Sequence, residues 1–176
     1  MKSENELITV GIPVFNGEAN LEEAIKSILS QTYRHLKIII ADDCSTDRSK
    51  AIYEKFAKKD SRIKVYRHKK NIGSVPNFNF LLQKAKSNYF VWAAQDDIRD
   101  KNAFKELLKL FHKFPEAVLA VSHYQNIFKE KIYTVLPKDS INNNQSDLES
   151  IINFLKSGNL SFFYVPVRPQ QSQVQK

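Results

Sequence analysis

The chain has 176 residues, 42% hydrophobic and 11% aromatic, enough for one globular domain with a buried core. Its net charge of +8 fits an anionic partner, and it equally fits lysines scattered at helical spacing over solvated faces. The single cysteine, Cys44, excludes an internal disulfide framework, no His/Cys spacing matches a zinc site, and no apolar stretch approaches the roughly 20 residues that cross a bilayer.

The N-terminus, MKSENELITV, lacks the apolar core of a secretory signal. A reducing, cytoplasmic setting is expected, with any membrane association peripheral, at the inner face of the plasma membrane. No Lys/Arg-Gly-Phe signature accompanies the basic residues, so no nucleic acid partner is expected.

Leu7 to Val14 (LITVGIPV) is a β-branched, nearly continuous apolar run that predicts a strand buried on both faces, with Phe15-Asn16-Gly17 as its turn. From Leu21, the positions Leu21, Ala24, Ile25, Ile28 and Leu29 follow helical spacing, with Asn20 as N-cap and Glu22 and Glu23 in the first turn. Leu36 to Ala41 predicts a second strand, followed by the polar turn DDCSTD and a helix through Ala51, Ile52 and Phe56.

Ile63 to Arg67 alternates as a third strand, and Asn71-Ile72-Gly73-Ser74 turns into a helix carrying Phe78, Leu81, Leu82 and Ala85, with Pro76 tolerated in its first turn. Tyr89 to Ala94 predicts a fourth strand, Gln95-Asp96-Asp97 its turn, and Phe104, Leu107, Leu108 and Phe111 the next helix. A fifth strand is expected over Ala117 to Tyr124, a strand pair within Ile127 to Leu136, and a short helix over Leu148 to Lys156.

Strand, turn and helix repeated four times predict an α/β fold with a Rossmann-like, mostly parallel sheet flanked by helices. Ligands of such sheets bind beyond the carboxyl ends of the strands. The polar turns therefore share one cleft, to which Phe15, Asn16, Asp42, Asp43, Asn71, Gly73, Gln95, Asp96 and Asp97 all contribute.

Taken singly, Asp96 and Asp97 could simply cap the next helix, and Asp42 and Asp43 could belong to a helix-entry loop. Taken together, they make an oxygen-rich site without His or Cys. That chemistry suits Mg²⁺ or Mn²⁺ bridging the phosphates of a nucleoside diphosphate. Rival chemistries lack their motifs: there is no G-x-x-x-x-G-K-[ST], no G-x-G-x-x-G and no G-x-S-x-G.

The order VGIPVFNGEANLEEAIKSILSQTYRHLKIIIADDCSTD, then NIGSVPNFN, then WAAQDD resembles the inverting family 2 glycosyltransferases of the GT-A fold, over Ile8 to Tyr124. The resemblance implies a donor site for a nucleoside diphosphate sugar, with a UDP-sugar expected. Pro13 and Asn16 would shape the first turn, Phe15 would stack near the base, Asp43 would accept from the base N–H, Asn71 and Gly73 would line the site, Asp96 would face the ribose and Asp97 would bind the metal. Gln95 stands where many members carry Asp.

The implied reaction is transfer of a sugar to a hydroxyl of a glycan or lipid-linked acceptor in polysaccharide or cell-surface glycan synthesis. No residue is assigned as the catalytic base, because the carboxylates beyond Asp97 include no Glu-Asp pair. The expected organisation is one domain over 5–165, with a donor half (5–125), an incomplete acceptor half (126–165) and an unstructured tail (166–176). On that expectation the chain is a C-terminally shortened member, and the alternative to a working transferase is a weakly active or inactive nucleotide-sugar-binding module.

Overall fold

The computed structural model describes residues 6–115, 117 and 120, together with the backbone of three later strands, 124–128, 131–135 and 164–166. Four strands, β1 (Ile8–Val14), β2 (Leu36–Asp42), β3 (Ile63–Arg67) and β4 (Tyr89–Trp92), run parallel in one sheet. Four helices follow them in turn: α1 (Leu21–Leu29), α2 (Ser49–Ala57), α3 (Ser74–Lys84) and α4 (Ala103–Lys113).

Of the later strands, β5 (Tyr124–Phe128) and β6 (Lys131–Val135) form a separate antiparallel hairpin, the strand pair expected there but starting three residues earlier. β7 (Tyr164–Pro166) pairs antiparallel with β4 and completes the sheet order β3-β2-β1-β4-β7. The expected strand over Ala117 to Tyr124 falls mostly, and the helix over Leu148 to Lys156 wholly, outside the described residues.

The period-2 alternation of the strands sends their side chains to two cores. Ile8, Val10, Ile12 and Val14, with Ile38, Ile40 and Val91, pack against Leu21, Ile25 and Ile28 of α1, Tyr53 of α2 and Phe104, Leu107, Leu108 and Phe111 of α4. Ile39, Ala41 and Phe90 face the other way onto Leu81 of α3. Three helices thus cover one face of the sheet, and α3 covers the other.

Chain order runs outward from β1 through β2 to β3 and then jumps back, so that β4 lies on the other side of β1. That reversal is where an open α/β sheet gathers a ligand. The pairing of β1 with β2 runs the whole strand, from Ile8↔Leu36 to Val14↔Asp42, whereas its pairing with β4 stops at Gly11↔Trp92. Beyond that point the two chains part and leave a crevice between their turns.

Candidate functional site

The first turn is held from two sides. Asn16 takes a positive φ of 49°, which Asn tolerates better than most residues, and its Oδ1 accepts from the Thr46 N–H at 2.9 Å. The Asn16 N–H donates to Ser45 Oγ at 3.0 Å and the Gly17 N–H to Ser49 Oγ at 2.9 Å. The turn after β1 is therefore sewn to the turn after β2.

From the other side comes Gln95, at the end of β4. Its Oε1 accepts from the Phe15 N–H at 3.0 Å, and its Nε2 donates to the Phe15 carbonyl at 3.2 Å. The carboxamide imitates a strand partner for Phe15 across the crevice where β1 and β4 no longer pair. Gly17 makes room for it, since a Cβ there would lie 2.3 Å from Gln95 Oε1. The Phe15 ring, fixed through its own backbone, remains 47% exposed at the crevice mouth.

In the second turn Asp42 is fully buried. Its Oδ1 accepts from the Ser45 N–H at 2.9 Å and from the Ser45 hydroxyl. Its Oδ2 accepts from the Tyr53 hydroxyl at 2.9 Å and from the Arg67 guanidinium at 2.6 Å. Burial, opposed by Arg67, pushes the Tyr53 phenol up to about 12. Asp42 knots β2, α2 and β3 together and has no lone pair to offer a ligand.

Asp43, 2% exposed, reaches instead to the third turn, accepting from the Ile72 N–H at 2.7 Å and the Gly73 N–H at 2.9 Å. Asn71 Oδ1 accepts from the same Gly73 N–H at 3.0 Å. Gly73 sits at φ +92°, a conformation that glycine alone adopts without strain, and so lets the chain present two amides to one carboxylate. Pro13 pairs with Ala41 in the sheet just beneath these turns.

The fourth turn is built differently. Asp96 is exposed, and no hydrogen bond among the described residues holds its carboxylate. Asp97 is half-buried, and its Oδ2 is sealed from solvent with no hydrogen-bond partner. Burial holds its pKa above the ordinary carboxylate value, against the pull of the Arg99 guanidinium and with a smaller push from Asp96. The segment just beyond is pinned to the end of α1: Gln31 Nε2 donates to the Asp100 carbonyl at 2.6 Å, its Oε1 accepts from the Phe104 N–H at 3.2 Å, and the Thr32 N–H donates to the Lys101 carbonyl at 2.8 Å.

A buried carboxylate oxygen with no donor is costly, and a hard cation would satisfy it. Among the described residues no group of three or more His, Cys, Asp or Glu side chains could hold a metal by themselves. That donor set, one oriented carboxylate with little else, is the way proteins hold Mg²⁺ or Mn²⁺ when the remaining ligands are waters and substrate phosphates. The residues present fit such an ion.

The sequence profile described as Glycosyl transferase family 2 matches residues 9–170. The chain belongs to glycosyl transferase family 2. Among its relatives, glycosyltransferase GlyG of Streptococcus pneumoniae is 32% identical over 122 residues, covering 69% of this chain and 40% of that protein. The putative teichuronic acid biosynthesis glycosyltransferase TuaG of Bacillus subtilis is 31% identical over 109 residues, covering 62% of this chain and 43% of that protein. The chain thus spans less than half the length of these family 2 relatives.

Among solved structures, TarS 1–349 of S. aureus aligns with a TM-score of 0.59 at 24% identity, over 64% of this chain and 34% of that one. The mannosyltransferase PcManGT of Pyrobaculum calidifontis aligns with a TM-score of 0.59 at 20% identity, over 64% of this chain and 34% of that one. These likenesses identify the fold as GT-A. TarS has also been solved in complex with UDP and with UDP-GlcNAc, and PcManGT with GDP-Man and Mn²⁺.

The structure brings Phe15, Asn16, Asp43, Asn71, Gly73, Asp96 and Asp97 to one edge of the family 2 sheet, with Pro13 one layer below. Asp42, grouped with them on the sequence, is interior and turned to β3. The sequence places Gln95 in the cleft but not its clamp on Phe15, 80 residues away, and it does not show Arg67, which meets Asp42 only through the parallel register Asp42↔Arg67.

Proposed function

We propose that the chain binds a nucleoside diphosphate sugar, most plainly a UDP-sugar, at the β1/β4 crevice, as the donor half of an inverting glycosyltransferase that acts on a hydroxyl acceptor in polysaccharide or cell-surface glycan synthesis. The observation that carries the reading is Asp97 Oδ2, a buried carboxylate oxygen without a donor, at the sheet's reversal point. The complexes of TarS with UDP and of PcManGT with GDP-Man and Mn²⁺ support the same ligand class.

In this reading Phe15 provides an apolar shelf for the base, held level by Gln95. Asp43 locks the Asn71–Gly73 turn in place; each of its oxygens accepts one backbone amide and keeps a lone pair with which to receive a base N–H. Asp96, exposed and unpaired among the described residues, accepts from ribose hydroxyls. Asp97 holds a divalent cation, and that ion would offset the charge growing on the departing diphosphate.

The acceptor, glycan or lipid-linked, and the base that takes its proton belong to the part of the reaction for which the described residues offer no candidate carboxylate. The same lack of a candidate base among the described residues favours a second reading, a module that binds donor and transfers weakly or not at all. Release of UDP from UDP-sugars, measured with and without a glycan acceptor, separates the two. Acceptor-stimulated release supports the transferase, binding without stimulated release supports the module, and no response to any UDP or GDP sugar contradicts both.

A further inference from the structure

The two faces of the sheet carry charge differently. On α1, α2 and α4, carboxylates pair with some of the lysines: Glu22 with Lys26 and Lys55, Glu54 with Lys50, and Glu106 with Lys109. On the α3 face the carboxylates are missing. From Ser61 to Gln95, a stretch that spans β3, α3 and β4, there is no Asp or Glu at all.

Two of the cations in that stretch are neutralised from outside it, Arg62 by Asp60 and Arg67 by Asp42. Lys64, Lys69, Lys70, Lys84 and Lys86 are exposed, and none forms an ion pair with a carboxylate of the described residues. Two of them gather at one ring. Lys64 Nζ lies 5.2 Å and Lys84 Nζ 5.5 Å from the centre of the Tyr66 ring, and Lys37 of β2 adds to the positive field on the same phenol. β3 is also the outermost strand of the sheet on that side.

Like charges held this close cost free energy unless a counter-charge is supplied. The aromatic groups of the face are already engaged: Tyr66 and Phe80 pack edge to face at 5.3 Å, with Lys84 Nζ over both rings. Their faces are not open to stack nucleobases, which is what a single-stranded nucleic acid would require of them. What the surface offers is ammonium groups on β2, β3 and the end of α3 that no carboxylate of the described residues pairs. That matches a fluid, laterally extended anion, and juxtamembrane lysines gain from the negative potential of acidic headgroups.

We infer that the Lys37–Lys64–Lys84 face docks this protein on a membrane rich in anionic phospholipid. The lipid contact uses the α3 face and leaves the crevice turns free, so it stands or falls separately from the donor reading. Docking would hold the donor site beside a bilayer, where a lipid-linked acceptor resides.

The test is co-sedimentation of the 176-residue chain with vesicles of phosphatidylcholine alone or mixed with phosphatidylglycerol. Wild type should sediment with the mixed vesicles only, and release on raising salt. The triple variant Lys37→Glu/Lys64→Glu/Lys84→Glu should lose at least about tenfold in vesicle affinity. The matched variant Lys50→Glu/Lys58→Glu/Lys59→Glu, with the same change in net charge on the α2 side, should keep most of it. Circular dichroism and thermal melting of both variants establish that each is folded. Equal loss in the two variants would show a net-charge effect and overturn the proposal, as would absence of any phosphatidylglycerol dependence. Displacement from vesicles by single-stranded RNA at lower concentration than by free phosphatidylglycerol vesicles would overturn it in favour of a nucleic acid surface.

Discussion

Two Asp-Asp pairs end the strands that flank β1, and they are used in opposite ways. Asp42-Asp43 at the end of β2 has every carboxylate oxygen engaged, by Ser45, Tyr53 and Arg67 on one residue and by two backbone amides on the other. Asp96-Asp97 at the end of β4 has an exposed member and a member with a sealed, unpartnered oxygen. Asp42, whose lone pairs are filled by its own protein, is structural, while Asp43 keeps a lone pair on each oxygen. Asp97, left unpartnered at the crevice, is the one the proposed donor site would use to hold a cation.

The contrast is broken most severely at Asp42. Asp42→Ala strands the Arg67 guanidinium, the Tyr53 hydroxyl and the Ser45 amide together, and should cost about 3 kcal/mol or more in urea unfolding. Tyr53→Phe removes one of those bonds and should cost about 1 kcal/mol. Burial raises the Tyr53 pKa to about 12, so the stability this phenol contributes is full below its ordinary value of 10.0 and is lost as pH climbs through the raised one. Tyr53→Phe should flatten that alkaline loss, and a variant with an unchanged alkaline profile would contradict the assignment.

At Gln95 the effect moves from stability to ligand. Gln95→Glu keeps an acceptor for the Phe15 N–H but sets a carboxylate against the Phe15 carbonyl, at a cost of about 1 kcal/mol. Gly17→Ala drives a methyl group into the same carboxamide. Each should weaken UDP binding with the metal-dependent part intact, and the double variant Gly17→Ala/Gln95→Ala should be little worse than the worse single. Additive losses in calorimetric titration would mean that the two residues do not act through one clamp.

Asp97 should give the smallest change in stability, with an unusual sign. Burial raises its pKa, so the folded chain keeps this proton to higher pH than the unfolded one. The stability it contributes is full below the ordinary carboxylate pKa and is lost as pH rises through the raised value. Without metal, Asp97→Asn should therefore melt slightly higher than wild type at neutral pH, and the gap should close in acid. A variant that melts lower at neutral pH would place a hidden donor on Asp97.

The frame of the fold was legible because β-branched runs and helical spacing recur with little interruption. β3 and α1 match their predicted bounds, and β4 ends two residues early at Trp92, where the Ala93 N–H still reaches the Gly11 carbonyl at 2.9 Å. β7 was not legible, because a three-residue strand has no periodicity to read and its partner, β4, lies far back in the chain. The site was legible as a set of turns and illegible as a division of labour. Which Asp of each pair is occupied depends on a parallel register and on contacts such as Gln95 to Phe15, neither of which leaves a local mark in the sequence.

The most direct test of the donor site is calorimetric titration of UDP into wild type and Asp97→Asn, each with Mn²⁺ and with chelator. Wild type should bind UDP more tightly with Mn²⁺ than without, and Asp97→Asn should bind with the weaker affinity under both conditions. Equal enhancement by Mn²⁺ in the two proteins would contradict the assignment of Asp97, and no UDP binding by folded wild type would contradict the donor site itself.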